Sequence, residues 1–129
     1  MHPSRLIQLC SGALGAIGVL FGALGAHYLS YFLDNDGLSG WETAVDYQLV
    51  HALLLFSISR ELRSSDTSRF LLLGAYIILA GTLMFSGSIY LMTLGDLRWL
   101  WPITPIGGVM LILGWCSIIY AALRDHFRN

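Results

Sequence analysis

The sequence predicts an all-α fold: an integral membrane, antiparallel four-helix bundle with its N- and C-termini on the cytoplasmic side. Three observations carry that expectation. Hydrophobic residues make up 56% of the 129 positions and charged residues 12%, with a mean hydropathy of +0.68, well beyond a soluble domain's apolar share. The apolar residues gather in runs of about 20, the length that crosses a hydrocarbon core of roughly 30 Å. The basic residues sort the connecting segments into two sides. One transmembrane domain, residues 1–129, accommodates the whole pattern.

The first span covers about residues 6–32, and a polar loop of Asp34, Asn35, Asp36 and Gly37 follows, with Gly40 expected to break any continuation. The start resembles a secretory signal, but the apolar run is too long and three more spans follow. The second span, about residues 41–62, is the least apolar because it carries Glu42, Asp46, Gln48 and His51. A charged loop that includes Arg60, Arg63, Ser65 and Asp66 leads to the third span, about residues 69–94, where Gly95 and Asp96 turn the chain. The fourth span, about residues 101–124, opens on Trp101-Pro102, and proline suits a first turn, where its missing N–H is not needed.

Arginine placement gives the topology. Arg5, Arg60, Arg63, Arg69, Arg124 and Arg128 fall on one side of an even-numbered bundle, and only Arg98 falls on the other, beside Asp34, Asp36 and Asp96. The positive-inside rule then sets both termini in the cytoplasm, with Trp41, Trp99 and Trp101 marking the outer interface. The fixed charge of −1 excludes a basic nucleic-acid surface. Cys10 and Cys116 lie within spans and read as small packing residues rather than a disulfide.

Small residues recur at heptad spacing: Gly15 and Gly22; Ser11, Gly18 and Gly25; Gly74, Gly81, Ser88 and Gly95; Gly107, Gly114 and Ala121. Such spacing lets helix backbones approach along a left-handed seam. Gly15, Gly18, Gly22, Gly25, Gly74, Gly81, Gly107 and Gly114 are therefore the expected helix-packing positions.

Helical rise of about 1.5 Å per residue converts position to depth. Counted from Leu6, His27 lies roughly 31 Å along, at the outer rim; counted from Trp41, Asp46 is roughly 8 Å and His51 roughly 15 Å deep. Ser86, Ser88 and Thr104 belong to the same outer half. The candidate polar cluster or ligand site is His27, Glu42, Thr43, Asp46, Tyr47, Gln48, His51, Ser86, Ser88 and Thr104. At 100° per residue, Thr43, Tyr47, Gln48 and His51 share one face, whereas Asp46 points about 140° from His51. The expected clasp therefore joins His27 to Glu42 or Asp46 across the first hairpin. Gln48, Ser86 and Ser88 read first as interhelical hydrogen-bond partners. Tyr47 and Tyr90 suit the interface, and His51 reads either as a neutral imidazole bonded to a neighbouring helix or as a functional group.

Four segments, GALGAH (22–27), WETAVDYQLVHALLL (41–55), LMFSGSIYLMTL (83–94) and TPIGGVMLILGW (104–115), occur in order along nearly the whole chain. In these the sequence resembles the small four-span membrane family called domain of unknown function 423. The resemblance rests on Gly22, Gly25, His27, Thr43, Tyr47, Gln48, His51, Ser86, Gly87, Ser88, Thr104, Pro105, Gly107 and Gly108. It implies a bacterial inner (plasma) membrane or a mitochondrial one, and it implies no reaction.

The expected function is that of a non-enzymatic accessory or scaffold subunit, in contact with the lipid bilayer and with other membrane subunits or further copies of itself. A binder of a lipid, quinone or other amphiphile in the outer half is the alternative, and proton- or ion-coupled transport through His51, Gln48 and Asp46 ranks below it. No catalytic set, metal set, cofactor motif or phosphate loop stands in the sequence.

Overall fold

The computed structural model describes residues 1–64 and 69–126, with side chains as far as Arg124. Ser65, Asp66 and Arg128 lie outside the described residues. Helix α1, Pro3–His27, opens with proline in its first turn and with His2 as its cap, Nδ1 accepting from the Ser4 N–H. It stops at His27, short of the expected position 32, because Tyr28 leaves the helical region at φ −121°. A 3-10 turn, Leu29–Tyr31, takes over.

Helix α2, Asn35–Glu61, starts six residues before the expected position 41. Asp34 supplies the reason: its Oδ1 accepts the Gly37 N–H at 2.8 Å, an N-cap that turns the anticipated loop into a first helical turn. Gly40 therefore sits inside the helix instead of ending the loop. Helix α3, Arg69–Gly95, ends at Asp96, whose φ of 50° lies in the left-handed region. A second 3-10 turn, Arg98–Leu100, precedes helix α4, Ile103–His126.

The described residues are all helical or in turns, without a strand. Three segments, Pro3–Tyr31, Arg69–Gly95 and Arg98–Arg124, are long and apolar enough to cross a membrane. Helix α2 matches them in length, and its polar residues hold it below that threshold.

Consecutive helices pack antiparallel, α1 on α2, α2 on α3 and α3 on α4, whereas α1 and α4 make little or no contact. One apolar cluster, with Ile7, Leu14, Leu55, Ile78 and Leu111 among its members, fills the end that holds the N-terminus. A second, built on Leu29, Trp41, Ala44, Val45 and Tyr90, fills the other.

Glycine sets the helix separations, though unevenly. A Cβ on Gly107 would stand 2.5 Å from the Phe85 backbone nitrogen, and one on Gly81 would stand 3.1 Å from the Gly107 carbonyl oxygen. Added to Gly114, it would collide with Ile78 Cγ1. Backbone thus lies against backbone along the α3–α4 seam. Gly22 is looser, with Val45 at 3.4 Å. Gly15 departs from the expectation: nothing lies within 4 Å of its would-be Cβ, and the same holds for Gly12. Both have open space where a Cβ would stand.

Candidate functional site

The polar side chains of α2 divide into two sets by the direction they face. Gln48 and His51 are 3% and 5% exposed. The Gln48 amide donates from Nε2 to the Leu14 carbonyl oxygen of α1 at 2.7 Å and accepts the Tyr90 hydroxyl of α3 at 2.9 Å. One side chain thereby ties three helices together.

His51 is held from both ring nitrogens. Nδ1 lies 2.6 Å from the Tyr47 carbonyl oxygen, and the Trp115 indole N–H of α4 points at Nε2 across 3.2 Å. A carbonyl only accepts and an indole N–H only donates, so the proton sits on Nδ1 and the Nε2 lone pair receives the indole. That assignment selects the neutral, helix-bonded imidazole and leaves no ring nitrogen free for a ligand.

Ser86 Oγ donates to the Ala44 carbonyl at 2.8 Å, and Ser88 Oγ meets Thr104 Oγ1 at 2.7 Å. Both close helix pairs within the cluster, α2–α3 and α3–α4. Among the described residues, every buried side-chain nitrogen and oxygen has a hydrogen-bond partner.

The remaining candidates face outward. His27, Glu42, Thr43, Asp46 and Tyr47 are exposed. Thr43 donates back to the Ser39 carbonyl of its own helix at 2.9 Å, and Tyr47 stacks on Phe85 with ring centroids 4.6 Å apart. The expected clasp is not formed: His27 has neither a hydrogen bond nor an ion pair among the described residues. Trp41 makes the contact across this hairpin instead. Its ring lies against Gly25, where a Cβ would be 2.8 Å from Cδ1, and its Nε1 donates to the Phe21 carbonyl at 2.8 Å.

Trp41 is therefore 1% exposed and Tyr90 8%, so both rings pack inside the bundle and not on its surface. Trp99 and Trp101 remain 71% and 68% exposed. Reasoning from sequence missed Trp115 altogether. A signal was there, since an indole well inside an apolar span needs an acceptor for its N–H, and His51 was an available one.

A shared device links glycines to these bonds. Gln48 reaches the Leu14 carbonyl over Gly18, Trp41 reaches Phe21 over Gly25, and Ser117 Oγ reaches Phe70 over Gly74 at 2.7 Å. In each case the glycine stands four residues after the acceptor. A helical Cβ tilts toward the N-terminus and overhangs that carbonyl, so its removal opens the oxygen to a neighbouring helix.

With this geometry in place, the comparisons with known proteins settle the family. The family model described as "Protein of unknown function (DUF423)" matches residues 21–108. The chain belongs to this family. It is 41% identical over 114 residues to the UPF0382 membrane protein SAB0533 of Staphylococcus aureus, covering 88% of this chain and 92% of that one. It is 35% identical over 115 residues to the UPF0382 membrane protein YwdK of Bacillus subtilis, at 86% and 94% coverage. With the UPF0382 inner membrane protein YgdD of Escherichia coli it shares 33% identity over 122 residues, at 94% and 92% coverage. No solved structure matches. This DUF423 chain is a membrane protein, and the YgdD name agrees with an inner-membrane location.

Proposed function

We propose that this DUF423 protein is a non-enzymatic accessory or scaffold subunit of a larger membrane assembly. The observation that carries the reading is the satisfaction of its interior. Gln48, His51, Ser86 and Ser88 are bonded to helix carbonyls or to the side chains of Tyr90, Trp115 and Thr104. A catalytic or ligand-binding site keeps polar groups in reserve for what it binds, whereas this interior uses them to fix four short-looped helices in register. The amphiphile-binding alternative needs an unspent buried polar group beside its apolar wall, and no observation favours it.

Much of the outer surface is apolar helix face, including Leu9, Val19 and Leu20 of α1 and Ile112, Leu113 and Leu123 of α4, each more than half exposed. Such faces accept lipid or other transmembrane helices. The test is extraction from native membranes in mild detergent, followed by native mass spectrometry. The expected result is a complex with at least one other membrane protein; a lone 14.3 kDa chain carrying no partner refutes the proposal.

A further inference from the structure

Helix α2 is less apolar than its neighbours because of two kinds of polar residue. Those facing inward, Gln48 and His51, are fully bonded. Those facing outward, Glu42 and Asp46, are exposed and make no hydrogen bond or ion pair among the described residues. At 100° per residue, Glu42, Asp46, Val50 and Leu53 fall on one stripe directed away from the buried face. Val50 and Leu53 are 54% and 71% exposed.

The packing places that stripe relative to the midpoints of α1 and α3. The bond from Ser86 to the Ala44 carbonyl sets those residues level. Ser86 stands four residues, about 6 Å, from Thr82 at the centre of α3, so Asp46 lies about 3 Å from that centre. The contact of Gly18 with Leu49 gives a second measure. It places Asp46 about 6 Å from Ile17, the centre of Pro3–Tyr31. Both distances are well inside the roughly 15 Å half-thickness of a hydrocarbon core. Asp46 thus faces outward at a depth where ionisable groups are rare and are paired when they occur, with Glu42 one turn, about 6 Å, nearer the end of the helix.

Among the described residues, no arginine supplies the countercharge. The described arginines stand at helix ends or in the connections between helices, none within a turn of this level, and the chain contains no lysine. A second copy is a poor donor as well. Two copies sharing one membrane orientation hold their arginines at the same levels, and a two-fold contact on this stripe sets Asp46 against Asp46.

Building on the accessory-subunit reading, we propose that the Glu42–Asp46–Val50–Leu53 stripe of α2 packs in the membrane against a transmembrane helix of a different protein. That helix carries an arginine or lysine level with Asp46. Val50 and Leu53 supply the apolar part of the seam, and the carboxylates select the partner.

The experiment places a photo-crosslinking residue at Val50 in native membranes, with control sites at Val19 on α1 and Ile112 on α4. The expected result is a discrete protein adduct from Val50, its crosslinked helix carrying a basic residue within one turn of the attachment point. Asp46→Leu removes no contact within the chain, so it leaves the detergent melting temperature unchanged or higher. It reduces the adduct at least about tenfold, the scale of loss when one member of a buried charge pair is removed. Asp46→Arg abolishes the adduct, and exchanging the partner's basic residue for aspartate restores it.

The inference is overturned by any of four results: lipid adducts alone at Val50, a second copy as the product, a partner without that basic residue, or an adduct undiminished by Asp46→Leu. Protein adducts at Val19 or Ile112 with none at Val50 overturn it while leaving the accessory reading intact. Protein adducts at none of the three sites overturn both.

Discussion

Replacing Gly25 with alanine adds one methyl group and tests how α1 and α2 are joined. The new Cβ would stand 2.8 Å from Trp41 Cδ1 and 3.0 Å from its Nε1, against about 3.5 Å for ordinary contact. The indole must therefore retreat by about 0.5–0.7 Å, which stretches its 2.8 Å bond to the Phe21 carbonyl to the limit of hydrogen bonding. It has nowhere to go, because Phe21 and Tyr90 hold it with ring centroids at 5.2 and 4.6 Å. Overpacking costs about 1–3 kcal/mol, and a lost interhelical bond adds about 0.6 kcal/mol. The helix preference of alanine over glycine returns up to about 1 kcal/mol. Gly25→Ala should thus destabilise the protein by about 1–3 kcal/mol, whereas Gly15→Ala, with nothing within 4 Å, should be neutral or mildly stabilising.

The assay is reversible SDS titration in mixed micelles, followed by far-ultraviolet circular dichroism. Trp41→Phe removes the N–H and shortens the ring, so the double variant Gly25→Ala/Trp41→Phe should cost less than the sum of the single changes. Additive losses, or a Gly25→Ala variant as benign as Gly15→Ala, would refute the reasoning.

The α3–α4 seam should be less forgiving still. In the same titration Gly107→Ala should cost about 2–3 kcal/mol, because backbone rather than side chain opposes it at 2.5 Å, and Gly81→Ala should cost less. Gln48→Leu and Tyr90→Phe should each lose roughly 0.6–1.7 kcal/mol and be less than additive together, since they share one bond. Nitrogen-15 spectra of labelled histidine should report an Nδ1–H tautomer for His51, and Trp115→Phe should shift the Nε2 resonance; an Nε2–H tautomer contradicts the bonding pattern. Asp96→Gly should leave stability unchanged or raise it by up to about 1 kcal/mol, because glycine adopts the left-handed φ at Asp96 without strain.

Helix number, order and approximate span were legible in the sequence because apolar runs and loop polarity are local properties. The boundaries at Asp34 and His27 were less so, since an N-cap and one residue's departure from helical φ outweigh hydropathy over a few positions. Depth along each helix was legible from the rise to within a turn or two: Ser86, Ser88 and Thr104 lie in one half of the bundle, whereas Gln48 and His51 sit near its middle. Rotation between helices was not legible. His27 and Trp41 share an end of the first hairpin, and only packing decides that the indole turns inward while the imidazole stays out. Heptad spacing identified Gly18 and Gly25 but also Gly15, because periodicity marks a face only if the partner's position is known.

The glycines and the inward polar side chains of α2 solve one problem. Hydrophobic burial does little to hold helices together in lipid, so close packing and polar bonds must do so. Helix carbonyls already accept from their own N–H groups, yet each oxygen keeps a second lone pair. A glycine four residues later exposes it, and α1 offers two such oxygens at Leu14 and Phe21, one heptad apart. Gln48 and Trp41 of α2 stand one heptad apart in the reverse direction, so register and contact are set together. Part of the polarity that keeps α2 below the hydropathy of its neighbours, Gln48, is thus a means by which it is bound to α1. Glu42 and Asp46 serve no bond of this kind: their removal should leave the bundle standing and alter only what the bundle meets.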